Sequence, residues 1–284
     1  MKIPANQWII QSDAGVIVIG NGPNEMPMFE RDRPFIRFNL SDDIPLSPME
    51  IRVSNRRVAE LSGKPAVFQV QSQWMKDTEH EQLQHLLTKQ ASKLGAELRC
   101  LPSTGLTTVH VCIGLSLSVQ VFRMPLRPTM FRASELPPRQ PLAAAFHNWL
   151  GEQRMAWRLI ASQGDQLSWP DMVAKRCAIA GETERGLDPY PRIFEWMQKA
   201  SVEGPDFVDP ANLVELANSS RFDWLGYAKY ERLHQLEPFF YLDRTRQKTA
   251  NWWLYSNTLS TAIDTLLGRL TQAQRFLHTK RVAS

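Results

Sequence analysis

Up to about residue 125 the chain alternates short β-branched runs with loops and helical stretches, and this alternation limits the fold more than any other feature. "GVIVIG" (15–20), "PFIRFN" (34–39), "PAVFQV" (65–70) and "AELRCL" (96–101) read as strands. Between the last two, "TEHEQLQHLLTKQASKLG" sets Leu83, Leu86, Leu87 and Leu94 at helical spacing and ends in Gly95, a residue suited to a helix cap. Strand, helix, strand is a βαβ unit. "PSTGLTTVHVCIGLSL" follows as a helix and "SVQVFRM" as a further strand. The expected fold is α/β, a Rossmann-like and mostly parallel sheet flanked by helices.

From about residue 143 the pattern turns helical. Helices are expected in "AAAFHNWLGEQRMAWRLIAS", "PYPRIFEWMQKAS", "DPANLVELANSS" and "NTLSTAIDTLLGRLTQAQRFL", with Asp209 as an N-cap and Pro210 at the first helical position. Seven of the nine tryptophans lie between 149 and 253, which suits a helical layer packed with aromatics. The alternative for "ANWWLYSN" is peripheral contact with a membrane interface, where Trp and Tyr are favoured. The expected division is an α/β region over 1–162 and a helical, Trp-rich region over 163–284. The bridge "RMPLRPTMFRASELPPRQP" (123–141) is expected to be a long loop.

With 284 residues and 43% apolar content the chain can bury a large core. A mean hydropathy of −0.33 and the lack of a long apolar run argue against a membrane span, and the N-terminus lacks the pattern of a signal peptide. A cytoplasmic location is expected, with the inner face of the membrane as the place of any peripheral contact. Three scattered cysteines, Cys100, Cys112 and Cys177, suit a reducing compartment and offer neither a disulfide framework nor a zinc site. The net charge of +4 favours anionic partners, but the basic residues are spread along the chain, so nucleic acid is not an expected partner.

Four motifs carry candidate chemistry. In "VIVIGNGPN" a strand runs into Gly20, Asn21, Gly22 and Pro23, a tight turn that would let backbone amides approach a phosphate or ribose. Glu25 at the sixth position and Pro23 depart from the dinucleotide fingerprint. In "FIRFNLSDD", Asn39 ends a strand where an amide can meet a base or ribose. Asp42 and Asp43 read as a turn or cap rather than a metal site. Ser103, Thr104 and Gly105 fall at a strand-to-helix junction suited either to a helix cap or to an anion. His110 reads as a packed core histidine. In "FHNWLGE", His147 and Glu152 are five residues apart, so a regular helix would not put them on quite the same face.

In this order the motifs resemble those of the sialyltransferases, both the animal families and the bacterial lipooligosaccharide family. "VIVIGNGPN" with "FIRFN" is similar to the long sialyl motif, "PSTGLTTVHVCIGLSLSVQVF" to the short motif, and "HNWLGE" to the very short HxxxxE motif. The resemblance covers roughly residues 15 to 155. It implies that Gly20, Asn21, Gly22 and Pro23 line a donor nucleotide with Asn39 near the cytidine. Ser103, Thr104 and Gly105 would hold the phosphate or the sugar carboxylate. His147 would be the general base, a role suited to histidine near neutral pH, with Glu152 supporting it. It further implies an inverting, metal-independent reaction without a cofactor. The donor would be CMP-activated sialic acid or a related keto sugar such as Kdo, and the acceptor a glycan or lipooligosaccharide.

The chain departs from the bacterial pattern in its Pro- and Arg-rich loop, which lacks the donor-binding tyrosine pair; Arg123, Arg127, Arg132 or Arg139 could substitute by charge. "QVQ" of Gln69 to Gln71 stands where a second asparagine is expected. Two other readings stay open: a non-catalytic nucleotide- or glycan-binding protein of envelope polysaccharide assembly, and an NAD-dependent oxidoreductase built on "GNGPN".

Overall fold

The computed structural model describes residues 15–23, 28, 32–40, 43–55, 67–130, 143–172, 186–204, 207–242 and 251–283. The chain divides into two compact units, unit 1 from Met1–Pro125 with Arg158–Val173 and unit 2 from Leu126–Trp157 with Ala174–Ser284. This division groups His147 and Glu152 with the helical part of the chain, whereas the sequence reading placed them in the α/β part.

Unit 1 is a six-stranded, mostly parallel α/β sheet. Its strands are β1 (Val16–Ile19), β2 (Phe35–Phe38), β3 (Glu50–Asn55), β4 (Phe68–Ser72), β5 (Val119–Phe122) and β6 (Leu167–Ser168), in the spatial order β4-β3-β2-β1-β5-β6. Every neighbouring pair is parallel except β3 and β4. The chain starts in the middle, builds outward through β2 and β3, then returns to the other side of β1 for β5. That reversal is a topological switch point, and the carboxyl ends of β1 and β5 flank it. All four residues of β1 are at most 1% exposed, which explains a strand that is apolar without alternation.

Two expected features change. Residues 96–101 are not a strand, because helix α1 (Asp77–Leu98) takes the first three of them and Arg99 to Leu101 follow as its exit. Leu83, Leu87, Ala91, Leu94 and Leu98 are buried at helical spacing, so one apolar stripe carries the helix past Gly95 to Arg99, which ends it in the left-handed region at φ 59°. The β4–α1 segment is therefore not half of a parallel crossover. The chain passes from α1 to α2 (Thr104–Gly114) and only then reaches β5. Strand β3 was not anticipated, since Glu50 and Arg52 interrupt its apolar residues. Both are buried and satisfied: Arg52 Nε and Nη2 donate to Glu50 Oε1 at 3.2 Å, Arg52 Nη1 donates to the Ile44 carbonyl, and the Ser47 amide donates to Glu50 Oε2. A buried ion pair is tolerated when its remaining hydrogen-bonding capacity is used in this way.

Unit 2 is helical. Helix α3 (Trp149–Gln163) begins in it, followed in the chain by α4 (Pro189–Glu203), α5 (Pro210–Asn218), α6 (Arg221–Gly226), α7 (Tyr230–Leu236) and α8 (Asn257–Ala283). Side-chain caps start α4, α5 and α6: Asp188, Asp209 and Ser220 accept from the amides of Tyr190, Ala211 and Phe222. The Asp209–Pro210 start is as expected from the sequence. The core gathers on α8, where Ile263, Leu266 and Leu270 are fully buried, together with Trp224 and Trp253. Among the described residues no helix is long and apolar enough to cross a membrane.

Candidate functional site

Three of the motif clusters meet at the carboxyl edge of the unit 1 sheet. Gly20, Asn21, Gly22 and Pro23 leave β1 there, Asn39 leaves β2, and Met124 follows β5. A side chain built on Gly105, in the first turn of α2, would stand 2.3 Å from Met124 Sδ, which brings that helix start to the same edge. Asn21 Nδ2 donates to the Phe38 carbonyl (3.1 Å), and the Asn55 amide donates to Asn39 Oδ1 (3.2 Å). Asn39 holds φ 49°, a conformation that Asn tolerates better than most residues. Asn21 and Pro23 are exposed.

The turn glycines have a different reason from the one read in the sequence. The Gly20 amide donates to the Phe122 carbonyl and the Gly22 amide to the Arg123 carbonyl, both at 2.8 Å. These amides continue the β1–β5 ladder, so they are not donors for a phosphate. A Cβ would stand 2.3 Å from the Arg123 carbonyl oxygen at Gly20 and 2.6 Å at Gly22. The close approach of another strand, 101 residues away in sequence, is what requires glycine. The turn can still line a ligand with its exposed residues. At the start of α2, Ser103 Oγ accepts from the Leu106 amide (3.2 Å) and caps the helix, while Thr104 and Gly105 are buried.

The fourth motif lies in unit 2. A short 3₁₀ turn, Ala143–Phe146, precedes α3, and His147 falls in the break between the two. Asn148 Oδ1 accepts from the Gly151 amide (2.9 Å) and starts the helix. Because His147 is outside α3, the helical face argument does not apply to it, and the turn folds its ring back over the first turn of α3. His147 Nδ1 stands 3.7 Å from Glu152 Oε1. The Glu152 side chain is fully buried and that of His147 is 21% exposed. The imidazole also meets the Trp149 ring edge-on, with centroids 5.1 Å apart. The carboxylate lies on the Nδ1 side of the ring, at ion-pair distance rather than hydrogen-bond distance.

The chain matches no protein-family model, no curated protein and no solved structure.

A carboxylate missed in the sequence anchors Asn148, the residue between His147 and α3. Glu237, also buried, accepts from Asn148 Nδ2 (3.1 Å) and from Arg154 Nε and Nη2 (2.8 and 3.2 Å). Asn148 carries a local signal that was not used, an N-cap residue type just before α3; Glu237, 89 positions away, carries none. His110 is largely buried in α2, and burial, reinforced by the charge of Lys93 and opposed by Glu97, lowers its pKa to about 4. Trp253 of "ANWWLYSN" is fully buried and donates to the Phe239 carbonyl, whereas Tyr255 is exposed. Among the described residues no group of three or more His, Cys, Asp or Glu side chains is placed to hold a metal. Asp42, Cys177 and positions 131–141 of the Pro-rich bridge, with Arg132 and Arg139, lie outside the described residues.

Proposed function

We propose that this protein is a glycosyltransferase that moves a keto sugar, sialic acid or Kdo, from its CMP donor to a glycan hydroxyl. The observation that carries the reading is the His147–Glu152 pair, a partly exposed imidazole held against a fully buried carboxylate at 3.7 Å. The HxxxxE resemblance asks for these two residues to cooperate, and the break before α3 makes that cooperation possible. His147 takes the proton of the acceptor hydroxyl as its oxygen bonds to the anomeric carbon. The bond from that carbon to the donor phosphate breaks, CMP leaves, and the configuration inverts. Glu152 holds the ring and stabilises the imidazolium that forms. The nucleotide is assigned to the carboxyl edge of the unit 1 sheet, because open α/β sheets bind ligands outside the carboxyl ends of their strands at the switch point. The turn and Asn39, which the resemblance assigns to the cytidine, stand at that edge.

The test is transfer from CMP-sialic acid and CMP-Kdo to glycan acceptors, read as CMP release and product mass. His147→Ala should cut turnover by about 10²- to 10⁴-fold, the usual share of a general base, and leave CMP affinity as in the wild type. Full turnover in that variant overturns the reading. A second reading, a non-catalytic nucleotide- or glycan-binding protein, draws on the use of the Gly20 and Gly22 amides within the sheet. CMP binding without transfer to any acceptor would favour it.

A further inference from the structure

We propose that Arg37 and Arg123 form a two-arginine anion site at the carboxyl edge of the unit 1 sheet, one on each side of β1, which takes the phosphate of a nucleotide. The inference rests on the nucleotide-binding reading of this edge given above. Ile19, the last residue of β1, is in register with Arg37 on β2 and with Phe122 on β5, and Arg123 follows Phe122. The two arginines therefore stand at nearly the same level of the sheet, on the strands that flank the Gly20–Pro23 turn.

Both are partly buried. The Arg123 Nε donates to the Gly22 carbonyl at 2.8 Å, which holds the guanidinium over the turn, while the Arg123 carbonyl accepts the Gly22 amide. Gly22 thus clamps Arg123 from both ends of the residue. Arg123 holds φ 55°, a left-handed conformation uncommon for a non-glycine residue, and such outliers gather at binding sites. Among the described residues neither Arg37 nor Arg123 forms an ion pair, and the terminal nitrogens of Arg123 make no hydrogen bond.

The neighbouring strand gives the contrast. Arg52, in register with Arg37 on β3, is paired with Glu50 and with loop carbonyls. The sheet thus satisfies the arginine it uses for structure and presents the other two at the edge where ligands bind. A partly buried guanidinium gains most from an anion whose oxygens match its planar fork, and phosphate does so. The two arginines supply the charge that the Gly20 and Gly22 amides, engaged in the sheet, do not.

Titration calorimetry on the full chain with CMP, AMP and cytidine tests the site. CMP should bind at least tenfold more tightly than cytidine, and the difference should shrink as salt is raised. Arg37→Gln and Arg123→Gln should each weaken CMP by tenfold or more and leave cytidine unchanged, with circular dichroism reporting the fold. Should Arg123→Gln fail to fold, Arg37→Gln and the salt series on the wild type read the same site. Equal affinity for CMP and cytidine, or variants that bind CMP as the wild type does, overturns the inference. CMP binding unaffected by both substitutions removes this site but leaves the donor reading. Arginine-dependent binding of AMP as tight as CMP keeps the site and removes the cytidine donor. Binding of none of the three removes both.

Discussion

Replacing Gly20 with alanine separates two reasons for a glycine at the end of β1, the approach of a ligand and the approach of β5. The new methyl would stand 2.3 Å from the Arg123 carbonyl oxygen. Ordinary contact requires a separation of about 1 Å more, and a shift of that size stretches the 2.8 Å bonds from Gly20 to Phe122 and from Gly22 to Arg123 beyond useful length. Each lost bond costs about 1 kcal/mol, and overpacking adds about 1–3 kcal/mol. Unit 1 should therefore lose about 3 kcal/mol or more with no ligand present. Urea unfolding measures the loss, and hydrogen exchange in β1 and β5 peptides assigns it to this pairing. Pro23→Ala, at an exposed position of the same turn, should stay within about 0.5 kcal/mol of the wild type. Unchanged stability and exchange in Gly20→Ala, with CMP affinity lost, would refute the pairing argument and return the glycine to the ligand.

Three further outcomes follow from the buried groups. Glu237→Ala removes the carboxylate that holds Arg154 and Asn148 and should cost about 3–5 kcal/mol in urea unfolding, whereas breaking the exposed Arg158–Glu97 pair should cost less than about 1 kcal/mol. His110 binds its proton more weakly in the fold, at a pKa of about 4, than a free histidine does at its ordinary value of 6.5. The unfolded chain takes up more protons between these values, so the contribution of His110 is complete above pH 6.5 and is lost as pH falls toward 4, by about 1.4 kcal/mol per unit at most. Unfolding curves across that window should flatten in His110→Leu. Burial pushes the Cys112 thiol up to about 12, so it should resist iodoacetamide in the native protein and react once unfolded; rapid native alkylation would contradict its placement.

Much of the scaffold was legible locally. "VIVI", the Asp209–Pro210 helix start, the leucine stripe of α1 and the start of α8 follow from period, caps and burial, which are properties of neighbouring residues. The run "AELRCL" resembles a strand until Leu98 is seen to extend the stripe of Leu94 and Ala91, and β3 is hidden until Glu50 and Arg52 find each other and the loop carbonyls. In the candidate site, the residue types and their order were readable, but their partners were not.

By itself the sequence determined that an α/β sheet is followed by helices, and it located the turn, the helix junction and the histidine. Tertiary structure decided what each of these residues touches. It engaged the Gly20 and Gly22 amides with β5, placed Arg37 and Arg123 on either side of β1, and broke the chain before α3 so that His147 meets Glu152. The physical reason is range: side-chain period and capping act within a few residues, whereas the contacts that consume an amide or leave a guanidinium at a sheet edge join positions about a hundred residues apart, as Gly22 and Arg123 are.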